Sequence, residues 1–243
     1  MKTIAIKILC LAIVSMSLLA CKKLKTSDAE IERTNWIAGF NDSIKYYSDQ
    51  NKELQEKLEK LNNEISEKLA HFQYIKNPKE VSGYYLMEGW QEKLPMKTTG
   101  IYARINENEK LELIATLSGA TFNQLAAGVS SPQFYSDVVP HDQAFNFRHE
   151  KFNTVYFSSG KADTIAEFIS ENKSEKLNLY FLQGKTVKDF RIPEKESQMI
   201  AGTWNIYKMR QEARNLQKEL WINSRKIDTF RRILDESNLS SNQ

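Results

Sequence analysis

The chain has 243 residues, a formal net charge of +3, two cysteines and three histidines. A charge this close to neutral gives no general electrostatic reason to bind nucleic acid. His71, His141 and His149 stand at no metal-ligand spacing from one another, and His149-Glu150 is followed by Lys, Phe and Asn, which excludes the HExxH zinc motif.

At the N-terminus, Lys2 and Lys7 precede an apolar run from Ile8 to Ala20. A membrane span needs about 20 apolar residues, so this run reads as an export signal over 1–20. Its end, Leu18-Leu19-Ala20-Cys21, resembles the lipobox of bacterial lipoproteins. The resemblance covers the first 21 residues and implies cleavage before Cys21 with lipid carried on that cysteine. An ordinary secretory signal with a cysteine at its cleavage site is the alternative. Cleavage removes Cys10, Lys2 and Lys7, leaving 223 residues, a charge of +1 and Cys21 as the sole thiol, so neither a disulfide nor a cysteine-based metal site is available. Residues 21–27 form a short tether. In it Lys22, Lys23 and Lys25 each gain about 1 kcal/mol from an anionic membrane surface. Lys at 22, rather than the Asp that marks inner-membrane retention in similar lipoproteins, implies an outer-membrane destination. The missing acidic stretch after the cysteine favours the periplasmic face.

Ser27-Asp28-Ala29-Glu30 has capping-box spacing and predicts a helix over 28–76. Alternating three- and four-residue steps bring Ile37, Phe40, Ile44, Tyr47, Asn51, Leu54, Leu58, Leu61, Ile65, Lys68, Phe72 and Ile75 onto one seam, with Pro78 as the stop. Near the other end, Pro193 with Glu194 and Glu196 predicts a second helix over 194–236. Its seam runs from Met199 and Gly202 to Phe230 and Leu234, and residues 237–243 are expected to be a disordered tail. Aligned antiparallel, the seams set Asn51 against Asn223, Leu54 against Leu220, Leu58 against Leu216, Leu61 against Ala213 and Phe72 against Gly202. A one-heptad shift strands the Asn51 amide, at about 1 to 3 kcal/mol. The alternative is a parallel homodimer of each helix with its counterpart in another copy.

Between the helices, 78–193 changes to a period of two. Strands are expected near 81–88, 100–106, 110–117, 143–148, 152–158, 176–183 and 185–192, with hairpin turns at 106–108 and 183–185. A short helix is expected at 161–172, capped by Ser159. Residues 119–142 are the least regular. The expected fold class is α+β: a long antiparallel coiled-coil hairpin with a mostly antiparallel β-rich domain inserted at its tip, standing roughly 60 Å from the lipid.

No catalytic motif survives inspection. Gly184-Lys185-Thr186 lacks the glycine a P-loop needs five residues earlier, where Leu179 stands, and Gly128-Val129-Ser130-Ser131-Pro132 is not a GxSxG elbow. Glu88, Glu92 and Asp142 cannot be paired by spacing. No cofactor or metal is implied. The binding candidates are aromatic: Trp90, with Tyr84 and Tyr85, and Phe134 with Tyr135, all at loops or strand ends where rings stack on sugars or pack on a partner. Trp221 and Ile222 fall outside the seam, on the outer face of the second helix, and mark a contact with an envelope partner or a weak homodimer. The reading is a non-enzymatic, lipid-anchored envelope protein presenting a β-rich domain to another envelope component. The alternative is a solute- or carbohydrate-binding lipoprotein with a pocket in that domain.

Overall fold

A computed structural model describes residues 26–76, 82–94, 96–131, 133–142, 146–149 and 151–239. Residues 1–25, with the expected signal segment, Cys21, Lys22, Lys23 and Lys25, lie outside the described residues, as do 240–243. The fold is α+β, with three α-helices and two antiparallel sheets among the described residues. The described residues divide into two compact units, one comprising those up to Glu53 together with those from Leu220 onward, the other those within Leu54–Glu219.

Helix α1 covers Thr26–Leu69, so Ser27 lies inside the helix and not at its cap. It ends earlier than the expected 76. Ala70 and His71 donate back to Glu67 and Lys68 in i→i+3 bonds that tighten the last turn. Phe72–Ile75 then forms strand β1, paired antiparallel with β2, Tyr84–Met87, so that Phe72 stands opposite Met87. Phe-Gln-Tyr-Ile is a strand-forming run whose Phe72 and Ile75 also fit a heptad step, and pairing with β2 decides between the two. The expected Phe72/Gly202 layer is therefore absent. Gly202 is small for another reason: a side-chain carbon there would lie 3.0 Å from Met87 Cε and 3.1 Å from its sulfur.

In the first unit, α1 and the C-terminal half of α3, Glu194–Leu239, pack a row of partly exposed rings against one another. Phe230 lies 5.4 Å from Phe40 and 6.2 Å from Tyr47, ring centre to ring centre, and Trp36 packs edge-on to Phe40. Arg33 donates to the Ser237 carbonyl at 3.1 Å. Residues 237–239 are helical, not tail.

In the second unit, Ile65, Met209 and Ala213 form a small core flanked by Leu58, Leu61 and Leu69. The main core lies between the sheets and helices. One sheet has the order β1-β2-β3-β4-β9-β8, where β3 is Gly100–Asn106, β4 Leu111–Ser118, β8 Asn146–His149 and β9 Phe152–Ser158. The other runs β11-β10-β5-β6, with β5 Gln124–Ser130, β6 Gln133–Tyr135, β10 Leu177–Gln183 and β11 Thr186–Arg191; β7, Val139–Pro140, also pairs with β5. Helix α2, Gly160–Glu171, touches β4 and β9 of one sheet and β5 and β7 of the other. It buries Ala162, Ile165, Ala166 and Ile169 between them.

Strands β5 to β7 occupy the stretch that showed no period. Leu125, Ala126, Ala127, Gly128 and Val129 are all buried, so β5 has no solvent face to alternate. The two expected hairpins are present, joining β3 to β4 and β10 to β11, and Gly184 supplies the positive φ of the second turn. Ser159 makes no side-chain capping bond to α2; it holds a positive φ of 55° at the strand-to-helix junction.

Candidate interaction surfaces

The surface of the second unit that best fits a contact role is built on β5, β6 and β10. Strand β6 pairs with β5 so that Tyr135 stands opposite Gly128 and Phe134 opposite Val129. Successive side chains on a strand point to opposite faces. Phe134 packs on Phe168 of α2, with ring centres 5.6 Å apart, and stays 40% exposed. Tyr135 packs edge-on against Tyr180 at 5.1 Å and stays 47% exposed. Gly128 makes this seat: a carbon added there would fall 2.5 Å from Tyr135 Cδ1 and 2.9 Å from Tyr180 Cε2. Gln133 donates to the Tyr135 hydroxyl and orients it. Burial pushes the Tyr180 phenol above its usual range, against a bond with Asn178 that lowers it. The result is a half-exposed Tyr135 ring seated over Gly128 and against Tyr180, with Phe134 exposed on the opposite face of β6.

Trp90 does not belong to any surface. It is fully buried against Tyr102, 5.9 Å away, with Lys93 5.7 Å from its ring. A short run of polar and glycine residues around it signalled a loop, but that loop turns inward through a 3-10 turn at Gln91–Lys93. Of its neighbours, Tyr84 is buried beneath the Arg104 guanidinium, 4.2 Å from its ring, while Tyr85 is partly buried and carries Arg210 at 4.7 Å.

Sequence reasoning missed the Arg104–Glu112 pair. The Arg104 Nε donates to Glu112 at 2.6 Å, Asn106 donates to the same carboxylate at 2.8 Å, and Arg104 is buried. Its signal was present as two opposite charges facing each other across a predicted hairpin. Asp142, which spacing alone cannot pair, accepts from Lys161 and from Ser158, each at 2.6 Å. Burial works to raise its pKa, yet these bonds hold the carboxyl below its ordinary range. Asp163 behaves oppositely. Burial lifts it above the usual range, against the Tyr207 hydroxyl it accepts at 3.4 Å. The Tyr207 phenol is pushed up to about 12, first by burial and then by Asp163.

In the first unit, Trp221 is 61% exposed and Ile222 borders the same shallow groove of about 310 Å³, shared with Arg225, Lys226, Thr229 and Phe230. The Arg225 guanidinium lies 5.4 Å from the Trp221 ring, and Lys226 lies 4.4 Å from Tyr47. Asn51 donates to Ser224 Oγ at 3.3 Å, not to Asn223, which is buried beside it in sequence. The Asn51 Oδ1 is buried without a partner.

Among the described residues no three His, Cys, Asp or Glu side chains gather as metal ligands, and no helix is long and apolar enough to cross a membrane. Compared with known protein families, curated proteins and solved structures, the chain matches none.

Proposed function

We propose that this chain is a non-enzymatic bacterial lipoprotein, anchored in the outer membrane through Cys21, whose two long helices pair as an antiparallel coiled-coil hairpin and whose β-rich domain contacts another envelope component. The lipobox-like Leu18-Leu19-Ala20-Cys21 supports the anchor. Support for the pairing comes from each unit taken by itself. Phe230 lies near both Phe40 and Tyr47 in the first, and Ile65, Met209 and Ala213 bury together in the second.

The observation that carries the contact role is Tyr135. A half-exposed tyrosine, held by Gly128, Tyr180 and Gln133, has little freedom left to lose on binding, and such rigid amphipathic rings anchor protein interfaces. A polar groove of about 660 Å³ beside Trp204, with Ser170, Lys173, Asn205 and Lys208 on its walls, favours the second reading, a solute- or carbohydrate-binding lipoprotein. The test is a pull-down of the intact lipoprotein from crosslinked cell envelopes. A discrete protein partner, lost in the Phe134→Ser/Tyr135→Ser variant, is expected; recovery of the same species with wild type and variant contradicts the contact role.

A further inference from the structure

Strand β11 closes one edge of its sheet and, among the described residues, pairs with β10 alone. A row of unpaired amides and carbonyls at such an edge invites another strand. This edge is bare as well as open: Thr186, Val187, Lys188 and Asp189 are all exposed, whichever face of the sheet they occupy, so this half of the strand overhangs the core. Val187 alone is an apolar side chain 55% in water.

Which backbone groups are free follows from the hairpin. The Ile192 amide donates to the Leu177 carbonyl, and continuing the register of β10 on β11 makes these two residues an opposed, bonded pair. Bonded pairs recur at every second residue of an antiparallel ladder, so Thr186, Lys188 and Phe190 turn their amides and carbonyls toward β10, while Val187, Asp189 and Arg191 turn theirs outward. A further strand can therefore add at Val187 and Asp189 without breaking any bond of the hairpin.

Charge selects the occupant. A second copy, related by a two-fold axis perpendicular to the sheet, pairs β11 with itself antiparallel in a register centred on one residue. Centring on Lys188 sets that lysine against its own counterpart and Lys185 against Arg191, and centring on Asp189 sets two carboxylates together; like charges directly opposite repel. Centring on Phe190 runs the added strand past the buried Ile192 into the start of α3. Centring on Val187 places the two valines side by side and Lys185 of each copy opposite Asp189 of the other. Of these registers only the last joins apolar to apolar and lysine to acid.

We propose that β11 is a self-recognition edge at which two copies of this chain join into one continuous sheet, with Val187 on the two-fold axis. Exposed charge pairs add little affinity, so Lys185 and Asp189 fix the register of a weak, reversible contact. The pairing of Asp189 with Tyr180, of Tyr180 with Ala126 and of Gly128 with Tyr135 puts Val187 and Asp189 on the same face as Tyr135. The axis keeps the Tyr135 rings of both copies on that one face, about 34 Å apart at roughly 4.8 Å per strand step. The edge depends neither on the anchor nor on what Tyr135 touches.

The experiment is disulfide trapping in the full chain, with wild type as the control for linkage through its own cysteines. Residues paired on the axis have Cα atoms about 5.5 Å apart, inside the range of about 4.4–6.8 Å that a disulfide bridges. Val187→Cys should give a linked dimer under mild oxidation, several-fold above wild type. Asp189→Cys should not, because its two copies stand about 14 Å apart along the strands. Adding Lys185→Glu to Val187→Cys should cut the dimer several-fold, and adding Asp189→Lys as well should restore it. All three positions are exposed, so folding does not depend on them. A dimer from Val187→Cys no greater than wild type would overturn the edge. So would equal yields from Val187→Cys and Asp189→Cys, a yield unmoved by Lys185→Glu, or no recovery with Asp189→Lys.

Discussion

Tyr135 lies across Gly128 so closely that a single added carbon would come within 2.5 Å of its ring. The φ of Gly128 is not the constraint; the space is. Gly128→Ala should displace Tyr135 and cost about 1 to 3 kcal/mol of stability, the usual penalty of overpacking. Urea unfolding measures the cost, and envelope crosslinking should weaken in parallel. A variant as stable as wild type with unchanged crosslinks would show that this seat is not required.

The Arg104–Glu112 pair should reveal itself by asymmetry. Arg104→Met leaves a largely buried carboxylate with only Asn106 as a donor and should destabilise the domain by about 3 kcal/mol, whereas Arg104→Met with Glu112→Leu should recover much of that loss. Equal losses in the single and double variants, measured by denaturant titration, would assign the cost to lost packing on Tyr84.

Two carboxylates give opposite pH signatures. Asp163 has its pKa raised in the folded chain, so the unfolded chain gives up the proton more readily, and stability falls as pH rises from the ordinary carboxylate range through the raised value. Asp163→Asn should therefore stabilise at neutral pH, with the gain disappearing in acid. The lowered Asp142 contributes stability above its unfolded value, and that contribution is lost as pH falls through the folded one. Asp142→Asn should destabilise at neutral pH and cease to matter in acid. Melting curves across pH check both signs.

Trp221→Glu with Ile222→Lys places charges on the exposed groove of the first unit. Helicity by circular dichroism should be unchanged, because both side chains point outward, while self-association or an envelope crosslink through this face should disappear. Unaltered sedimentation together with an unaltered crosslinking pattern would mean that Arg225 merely shields the indole.

What was legible in the sequence followed from period. Strands β3, β4, β9, β10 and β11 were readable because hairpin turns or alternation marked them, and α2 because Ile165, Phe168 and Ile169 share a face. Strand β5 was not, since its Ala-Ala-Gly-Val run is buried on both sides and shows no alternation. Strand β1 was hidden because Phe72 and Ile75 fit a helical seam as well as a strand, and only Met87, distant in sequence, settles the matter. The exposed pair Phe134 and Tyr135 was found as a loop aromatic cluster; Trp90 looked the same in sequence and is core. Which aromatics a fold covers depends on the sheets that meet there, and that is a long-range property.

The proposed role requires a lipid-anchored chain that meets a partner through β6. A photo-crosslinking residue in place of Ser131, exposed in the turn that leads into β6, tests this in intact cells. The account predicts that the chain fractionates with membranes and yields one discrete heavier adduct, and that Cys21→Ser removes both. A chain that stays in the aqueous fraction with Cys21 unmodified, and that forms no adduct from position 131, would contradict it.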